Sequence, residues 1–328
     1  MRERLAKLPK IELHVHLEAC IKRSTIQWLA EKNNISIPDY FGSHEPLFFK
    51  TFEDFVEVFW AIGKVIVSED DFAYVVRDAV EYVRRNNIAY CEISWTPHLY
   101  MERGFSFDKT MAIFNAELAK HNAQDQIRFI IDVQRDHGLE EGATVFQKVF
   151  DTPNINVVGI GLTGFEEGHP ASIFKEVFKK ATELGYGCTA HAGEYGDSAE
   201  IWRCVSDLGV TRIGHGIRAI TDEKLMQFLI ENNIHLEISL TSNVRLERVE
   251  SYAKHPIVDF INKGISVGVN SDDPTVFEID LLDEYMYFRE QCGLSYEQLK
   301  KSNYDALEAA FCTDKQKMEL KQLLDEAW

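Results

Sequence analysis

The stretch Gly268-Val-Asn-Ser-Asp-Asp-Pro274 ends a short apolar run in two adjacent carboxylates. Three earlier apolar runs also end in polar clusters, namely His14-Val-His16-Leu-Glu18, His191-Ala-Gly-Glu194 and Gly214-His215-Gly216. Short runs rich in β-branched residues that end at polar or glycine positions are typical of strands. Because the carboxyl ends of parallel strands meet at one edge of a sheet, we expect the four clusters to form one site.

Eight such runs alternate with amphipathic segments along the chain. The runs are Ile11–Leu17, Ile88–Trp95, Ile127–Val133, Val157–Leu162, Cys188–His191, Arg212–Ile217, Ile234–Leu240 and Ile265–Val269. Apolar residues recur at helical spacing in Ala171–Leu184, Ala199–Leu208, Asp222–Asn232 and Ala253–Lys263. Eight strands alternating with helices predict an α/β fold of the (β/α)8 type, a TIM barrel. The polar clusters follow the first, fifth, sixth and eighth runs, where a barrel of this type carries its active site.

Two segments depart from the plain alternation. Residues 20–87 are too long for one crossover and predict extra helices after the first strand, and residues 281–328 predict two or three terminal helices. Six aromatic residues recur near helical spacing in the first segment: Phe48, Phe49, Phe52, Phe55, Phe59 and Trp60. They form either a buried core stripe or a lid over the barrel mouth. No linker or repeat interrupts residues 1–328, so we expect a single domain.

The composition narrows the possible partners. The formal net charge of −18 opposes phosphate backbones and anionic membranes, so neither nucleic acid nor a membrane is an expected partner. The six cysteines are scattered without a CxxC pair, as in proteins of reducing compartments. No secretory signal and no apolar run of the ~20 residues that a membrane span needs is visible. We therefore expect a soluble, cytoplasmic protein, and its oligomeric state is left open.

The histidines and carboxylates of the clusters predict a metal site. Alternation at period two places His14 and His16 on one face of the first strand. With His191 and one carboxylate they would offer three nitrogens and one oxygen, a set that suits zinc and leaves room for a water. Adjacent strand residues point to opposite faces, so Asp272 and Asp273 need different roles, one at the metal and one at the substrate.

Each cluster also has a plainer interpretation. A lone His-x-His on a strand is commonly structural, and Asp272-Asp273 before Pro274 could be a turn. Glu194 could simply cap a helix that begins near Asp197. His215, between two glycines, could be a core histidine, but beside a metal we interpret it as an acid/base group.

The motifs taken together resemble those of the adenosine deaminase family, which are (β/α)8 enzymes of the amidohydrolase superfamily with one catalytic zinc. The resemblance spans the whole chain and also includes Ser242-Asn243. It implies His14, His16, His191 and Asp272 as zinc ligands. It further implies that Glu194 donates a proton to purine N1 and that His215 orients and deprotonates the zinc-bound water. Asp273 would bind purine N7, the Gly164 backbone N–H would meet N3, and His16 would also contact the substrate.

The substrate is where this chain departs from the adenosine-specific pattern. Typical adenosine deaminases read His-x-His-Leu-Asp-Gly, with the Asp near the ribose 5′ position, whereas this chain has Glu18-Ala-Cys20. Glu166-Glu-Gly-His-Pro170 resembles branches that deaminate adenine or aminodeoxyfutalosine, and Ile93-Ser-Trp-Thr-Pro-His98 resembles the nucleoside branches. We expect a 6-aminopurine nucleoside, adenosine or a 5′-modified derivative, with Glu18 near its 5′ end. Free adenine is the alternative.

Two other classes of protein remain possible. A two-metal amidohydrolase would usually carry a bridging carboxylated lysine at the end of the fourth strand, and Val157–Gly164 contains no lysine. A catalytically inactive binding protein on the same barrel would be expected to lose a ligand or the acid, and all of these residue types are present. Zinc stoichiometry combined with ammonia release from an aminopurine would separate the three classes.

Overall fold

Eight parallel strands form one sheet in sequential order. The computed structural model describes residues 1–42 and 52–328. The strands are β1 Lys10–His16, β2 Ile88–Trp95, β3 Ile127–Gln134, β4 Val157–Thr163, β5 Gly187–Ala192, β6 Arg212–His215, β7 His235–Ile238 and β8 Ser266–Val269. All eight predicted runs are present, with ends within three residues of those expected, and the predicted (β/α)8 barrel is confirmed.

The barrel closes between its first and last strands at the level of the polar clusters. Val15 and Asp272 form an isolated parallel bridge just beyond the end of β8. The His16 N–H donates to the Asp272 carbonyl at 3.0 Å, and the Asp272 N–H donates to the His14 carbonyl at 3.2 Å. Two of the predicted ligand segments are therefore fixed to each other by backbone hydrogen bonds, independently of any bound ion.

Helices cover the outside of the barrel. They are α1 Arg2–Lys7, α2 Arg23–Asn33, α3 Phe52–Val65, α4 Phe72–Arg85, α5 His98–Met101, α6 Phe107–Lys120, α7 Leu139–Asp151, α8 Lys175–Glu183, α9 Ser198–Arg203, α10 Glu223–Glu231, α11 Leu240–Arg245, α12 Ile257–Lys263, α13 Pro274–Phe277, α14 Leu281–Glu290, α15 Tyr296–Ala309 and α16 Asp314–Ala327. The extra helices after β1 and the three terminal helices match the prediction. No helix among the described residues has the length and apolarity to cross a membrane.

Two predicted helices begin four residues later than expected, after a short 3-10 helix: α8 at Lys175 instead of Ala171, and α12. The pattern predicted a helix over Ala253–Lys263, but α12 starts at Ile257, directly after Pro256. The proline ring disfavours helical backbone at the preceding residue, so His255 is extended and ends a separate 3-10 turn. This break frees the His255 side chain for the hydrogen bonds described below.

The N-terminal end of the barrel is sealed by the last helices and by buried charges. The Asn303 side chain of α15 accepts from the Ile11 N–H at 2.8 Å and donates to the Pro9 carbonyl at 3.0 Å. Inside the barrel, the Arg212 guanidinium lies between two carboxylates, 2.5 Å from Glu92 and 2.7 Å from Glu237. Glu237 belongs to β7 and reaches upward from this layer towards the polar clusters.

Candidate active site

Four side chains converge at the C-terminal end of the barrel. One ligand-type atom from each of His14, His16, His191 and Asp272 lies within 4.8 Å of the others. Asp272 Oδ1 is 3.2 Å from His14 Nε2 and 3.3 Å from His16 Nε2. Two ligands held about 2.0–2.2 Å from one tetrahedral zinc would lie about 3.3 Å apart. The separations fit a shared ion, and His14 Nε2 is buried without a hydrogen-bond partner among the described residues.

In His14 and His191 the other ring nitrogen is held by an acceptor, which fixes the orientation of the ring. His14 Nδ1–H donates to Glu237 Oε2 at 2.8 Å, and His191 Nδ1 lies 3.3 Å from the Leu162 carbonyl. Each ring therefore presents Nε2 to the cluster, the arrangement that carboxylate–histidine–metal sites use. Sequence reasoning missed Glu237, although an acid within the apolar strand Ile234–Leu240 was a usable signal.

Two cluster residues have left-handed backbone conformations. Asp272 has φ 63° and His215 has φ 60°, values that are uncommon outside glycine and are often found at functional sites. The turn at Asp272 interrupts the strand alternation, so Asp272 and Asp273 both line the same cavity. The expectation that they face opposite sides of a strand was therefore wrong, while the expectation of different roles does not depend on it.

A chain of three hydrogen bonds sets the tautomer of His215. The Ile257 N–H donates to His255 Nδ1 at 3.2 Å, so His255 must carry its proton on Nε2. That Nε2–H donates to Asn243 Oδ1 at 3.1 Å, which leaves the Asn243 amide NH2 to donate to His215 Nδ1 at 3.0 Å. Neutral His215 therefore carries its proton on Nε2, the nitrogen nearest Glu194 and Asp272, at 3.7 and 3.8 Å.

Burial keeps His215 neutral, lowering its pKa to about 3. The Ser242-Asn243 motif was noted in the sequence without a role. His255 was missed altogether, because nothing local to it indicates a site.

Glu194 is positioned by a second carboxylate. Glu166 accepts three backbone N–H groups in a row, from Gly193 at 2.6 Å, Glu194 at 3.0 Å and Tyr195 at 2.9 Å. Burial, together with the charges of Asp272 and Glu166, raises the pKa of Glu194 well above its usual value. The carboxyl group is thus kept protonated, as a proton donor must be. The helix that Glu194 could have capped is capped instead by Asp197.

Asp273 and Gly164 complete the polar lining. Asp273 Oδ1 is buried without a hydrogen-bond partner among the described residues, and burial together with the Asp272 charge raises the pKa of Asp273 to about 8. Gly164 has φ 88°, and a Cβ there would lie 2.1 Å from Asp136 Oδ1. Only glycine fits this turn, which leaves its backbone accessible from the cavity.

These residues surround one cavity at the barrel mouth. It is lined by His16, Phe55, Val56, Phe59, Trp60, Thr96, Gln134, Thr163, Gly164, Glu166, His191, Glu194, Tyr195, His215, Leu246, Asp272 and Asp273. Trp60 is 52% exposed, so the aromatic side of the cavity faces its opening. Phe48 and Phe49 lie outside the described residues, and whether the aromatic segment moves as a lid stays a prediction.

Glu18 occupies a different environment from the one expected. It is not among the lining residues, and its side chain is only 2% exposed. Burial raises the pKa of Glu18 to about 7, while a hydrogen bond from the Tyr100 hydroxyl works in the opposite direction. Its predicted contact with the substrate 5′ end stays a prediction.

Comparison with known proteins gives consistent results. A family model described as adenosine deaminase matches residues 9–327. The chain is 34% identical to an adenine deaminase of Wolinella succinogenes, covering 99% of both chains. It is 30% identical to an adenosine deaminase of Clostridium botulinum, covering 97% of this chain and 99% of the other. The crystal structure of adenine deaminase from Arthrobacter aurescens matches with a TM-score of 0.89 and 28% identity, covering 98% of each chain.

Proposed function

The chain belongs to the adenosine deaminase family, whose enzymes hydrolyse amidine C–N bonds, and we propose that it deaminates a 6-aminopurine at C6 with one bound zinc ion. The observation that carries the proposal is the convergence of His14, His16, His191 and Asp272 on one point. The proton donor Glu194 and the possible ring-binding groups Asp273 and Gly164 line the same cavity.

The metal and the side chains have different roles in the proposed reaction. Zinc held by the four ligands would lower the pKa of water so that hydroxide is available near neutral pH. Glu194, kept protonated by burial, gives its proton to purine N1 as the new C6–O bond forms, so that negative charge does not build up on the ring. The proton of the new C6 hydroxyl then passes to the amino nitrogen, the C6–N bond breaks, ammonia leaves, and C6 carries an oxo group.

His215 acts by donating a hydrogen bond. Its Nε2–H faces the cluster, because Asn243 donates to the opposite nitrogen. It therefore orients the attacking oxygen through Nε2–H. The family resemblance implied that His215 also removes the water proton, and that step would require the unprotonated form of Nε2, which the chain through His255 and Asn243 opposes.

Asp273 and Gly164 recognise the ring. N7 of a purine is an acceptor, so a carboxyl group binds it only when protonated, and the raised pKa of Asp273 provides that form below about pH 8. Gly164 lines the cavity, and its backbone N–H would bind N3. The contacts to N7 and N3 involve only the purine ring, so they are the same for adenine and for its nucleosides.

The apolar side of the cavity favours a substituent on N9. Phe55, Val56, Phe59, Trp60 and Leu246 line it, and the exposed Trp60 marks its opening. A free base bound to the deeper polar groups would leave this surface in water, whereas an apolar group on the ribose would cover it. Our first candidate is therefore a 6-aminopurine nucleoside with a 5′ modification.

Free adenine is the second candidate, and a specific observation favours it. Glu18 is 2% exposed and does not line the cavity, so it is not placed to bind a 5′-hydroxyl there as the Asp of the adenosine-specific motif would. A site without that partner does not select for the sugar hydroxyl. The similarity to the adenine deaminases of Wolinella succinogenes and Arthrobacter aurescens points the same way.

Two measurements test these statements. Purified protein should contain one catalytic zinc, and ammonia release should be measured with adenine, adenosine, 2′-deoxyadenosine, 5′-methylthioadenosine and aminodeoxyfutalosine. We expect the largest kcat/KM for a nucleoside with a bulky or apolar 5′ group. Preference for adenine would replace the first candidate by the second. Absence of ammonia from all five compounds in the zinc-loaded enzyme would contradict the deaminase proposal itself.

A further inference from the structure

The purine contacts proposed above determine which side of the cavity N9 of the base faces. Asp273, after β8, would bind N7, and Gly164, after β4, would bind N3. In the barrel, β1, β2 and β3 lie between β8 and β4 on one side, and β5, β6 and β7 lie on the other. Glu194 and His215 follow strands of the second side, so N1 and C6 face it. N9 is between N7 and N3 on the ring and therefore faces the ends of β1, β2 and β3.

Three neutral polar side chains line the cavity towards that side. Thr96 follows β2, Gln134 ends β3 and Thr163 ends β4. Glu18, which follows β1, is buried and does not line the cavity. The lining residues that the structure describes include no lysine or arginine. This side of the cavity therefore suits neutral hydroxyl groups better than a phosphate or a carboxylate group.

Gln134 lies directly beside Gly164. It is in register with Thr163, the residue before Gly164, and a Cβ placed at Gly164 would lie 3.3 Å from Gln134 Cα. The 2′-hydroxyl of a nucleoside lies on the same edge as N3, the edge that faces the minor groove in a duplex. A base that binds through N3 at Gly164 therefore brings its 2′-hydroxyl towards the end of β3.

A buried histidine holds the Gln134 amide in place. His98 is 4% exposed, and its ring contacts the Gln134 side chain. Burial, together with the neighbouring His137, lowers the pKa of His98 to about 4, so this partner is neutral. An amide has a carbonyl oxygen and an NH2 group, so contact with one imidazole leaves one end for the cavity. Either end can bind a hydroxyl group, which both donates and accepts.

We propose that Gln134 binds the 2′-hydroxyl of the substrate, so that the enzyme prefers a ribonucleoside to its 2′-deoxy analogue. This inference rests on the proposed function, because it uses the orientation of the purine given there. It narrows that function, since the contacts to the base alone are the same for adenine and for all its nucleosides. A ligand without the hydroxyl leaves the amide unpaired, and polar sites discriminate against such ligands.

The experiment compares kcat/KM for adenosine and 2′-deoxyadenosine in the zinc-loaded enzyme. Wild type should prefer adenosine by about tenfold, the contribution of one hydrogen bond whose loss leaves a polar group unpaired. Gln134→Met keeps the length of the side chain but has no amide, so the ratio of the two kcat/KM values should fall to near one. Gln134→Glu keeps an acceptor for the hydroxyl and should retain the preference for adenosine.

Two control variants separate substrate binding from a structural role. Thr163→Val removes the neighbouring hydroxyl at nearly constant shape, and Gln147→Met makes the same substitution at an exposed position of α7. Both variants should keep the wild-type ratio. If Gln134 only supported the His98 ring, Gln134→Met would lower kcat/KM for both nucleosides and leave their ratio unchanged.

Four outcomes would overturn the proposal. Equal kcat/KM for the two nucleosides in wild type would do so and leave the deaminase proposal intact. A preference that survives in Gln134→Met, or that disappears in Thr163→Val, would mean that another group binds the hydroxyl. Preference for adenine over both nucleosides would exclude a role for the ribose. Absence of ammonia from every 6-aminopurine would overturn the proposed function and this inference together.

Discussion

The two ends of the barrel differ in how their buried charged and polar side chains are paired. At the N-terminal end, the Glu92 carboxylate accepts from Tyr90 Oη at 2.9 Å, Arg212 Nη1 at 2.5 Å and the Phe311 N–H at 2.6 Å. At the C-terminal end, polar atoms are equally buried but lack partners: His14 Nε2 and Asp273 Oδ1 have no hydrogen-bond partner among the described residues. The buried charges at the first end are paired with each other, whereas the second end leaves polar atoms for a ligand to bind.

Glu237 connects the two ends. Its Oε1 faces Arg212 of the closed network, and its Oε2 accepts from His14 of the open one. A change at the closed end should therefore cost folding stability, and a change at the open end should cost catalysis. The following predictions test this separation.

The largest effect is expected for Glu194→Gln at the open end. Glutamine has nearly the same shape and keeps the cavity filled, but it cannot deliver a proton to N1. We expect kcat/KM to fall by about 10²–10⁴-fold, as for removal of a general acid, with zinc content and melting temperature near those of wild type. The measurements are steady-state kinetics, zinc analysis and thermal unfolding.

The matched control is Glu167→Gln, three residues before Pro170. Glu167 is exposed, next to the buried Glu166 that holds the Glu194 backbone. Its substitution should change neither rate nor stability. Near-normal turnover in Glu194→Gln would assign the proton donor to another group.

Glu92→Gln should have the next largest effect, and on stability. Arg212 would lose its charged partner on β2 while remaining fully buried, and breaking a buried ion pair typically costs about 3–5 kcal/mol. We expect that loss in the free energy of unfolding, measured by denaturant titration, with kcat/KM within a fewfold of wild type at low temperature. Exposed Glu308→Gln is the control and should change neither quantity. A selective loss of activity in Glu92→Gln would contradict the separation of the two ends.

The fold was predictable because each strand is an apolar run whose ends can be recognised in the sequence. Apolar runs such as Ile88–Trp95 end where polar clusters or turn residues begin, and β2 has the predicted bounds. The start of α12 was predicted too early, because the helical spacing of apolar residues continues across Pro256 although the helix begins only after it. The helical spacing over Ala199–Leu208 predicted one helix and did not reveal that its last five residues, Cys204–Leu208, form a π-helical turn that continues α9.

The site residues that belong to sequence motifs were predictable, whereas those whose role depends on tertiary contacts were not. His14, His16, His191 and Asp272 converge as expected, because the C-terminal ends of β1, β5 and β8 meet at the barrel mouth. The hydrogen bonds of Glu237, Glu166 and His255 join segments distant in sequence, so a local pattern does not identify their partners. The left-handed turn at Asp272 could not be predicted from strand alternation.

A smaller effect is expected for His255→Phe, which removes the donor that fixes Asn243. The Asn243 amide could then turn over, and His215 could carry its proton on either nitrogen. Outer partners of this kind typically contribute about 10–100-fold to activity, so we expect a loss in that range in kcat with KM little changed. Nitrogen chemical shifts of His215 should report the mixture of tautomers, whereas in wild type they should report Nε2–H alone. A single unchanged tautomer in the variant would contradict the role of the chain.

The smallest effect is expected for Asp273→Asn, and it appears in the pH profile. In the proposed role Asp273 donates to N7 only when protonated, and burial beside Asp272 raises its pKa to about 8. The contribution of Asp273 to substrate binding is therefore present below that pH and lost as pH rises through it. A bound cation would lower the pKa of Asp273 and move this loss to lower pH. Asparagine donates through its amide NH2 at every pH, so Asp273→Asn should retain kcat/KM within about tenfold of wild type.

The alkaline limb of kcat/KM distinguishes this variant from its control. In Asp273→Asn the loss of activity that follows titration of Asp273 should disappear from this limb, and Asp273→Ala should lose activity at all pH values because N7 is left without a donor. The decisive measurement is kcat/KM from pH 6 to pH 10 for wild type and both variants. An alkaline limb in the same place for Asp273→Asn would mean that Asp273 is not the group that titrates. The open end of the barrel would then recognise N7 through a different donor.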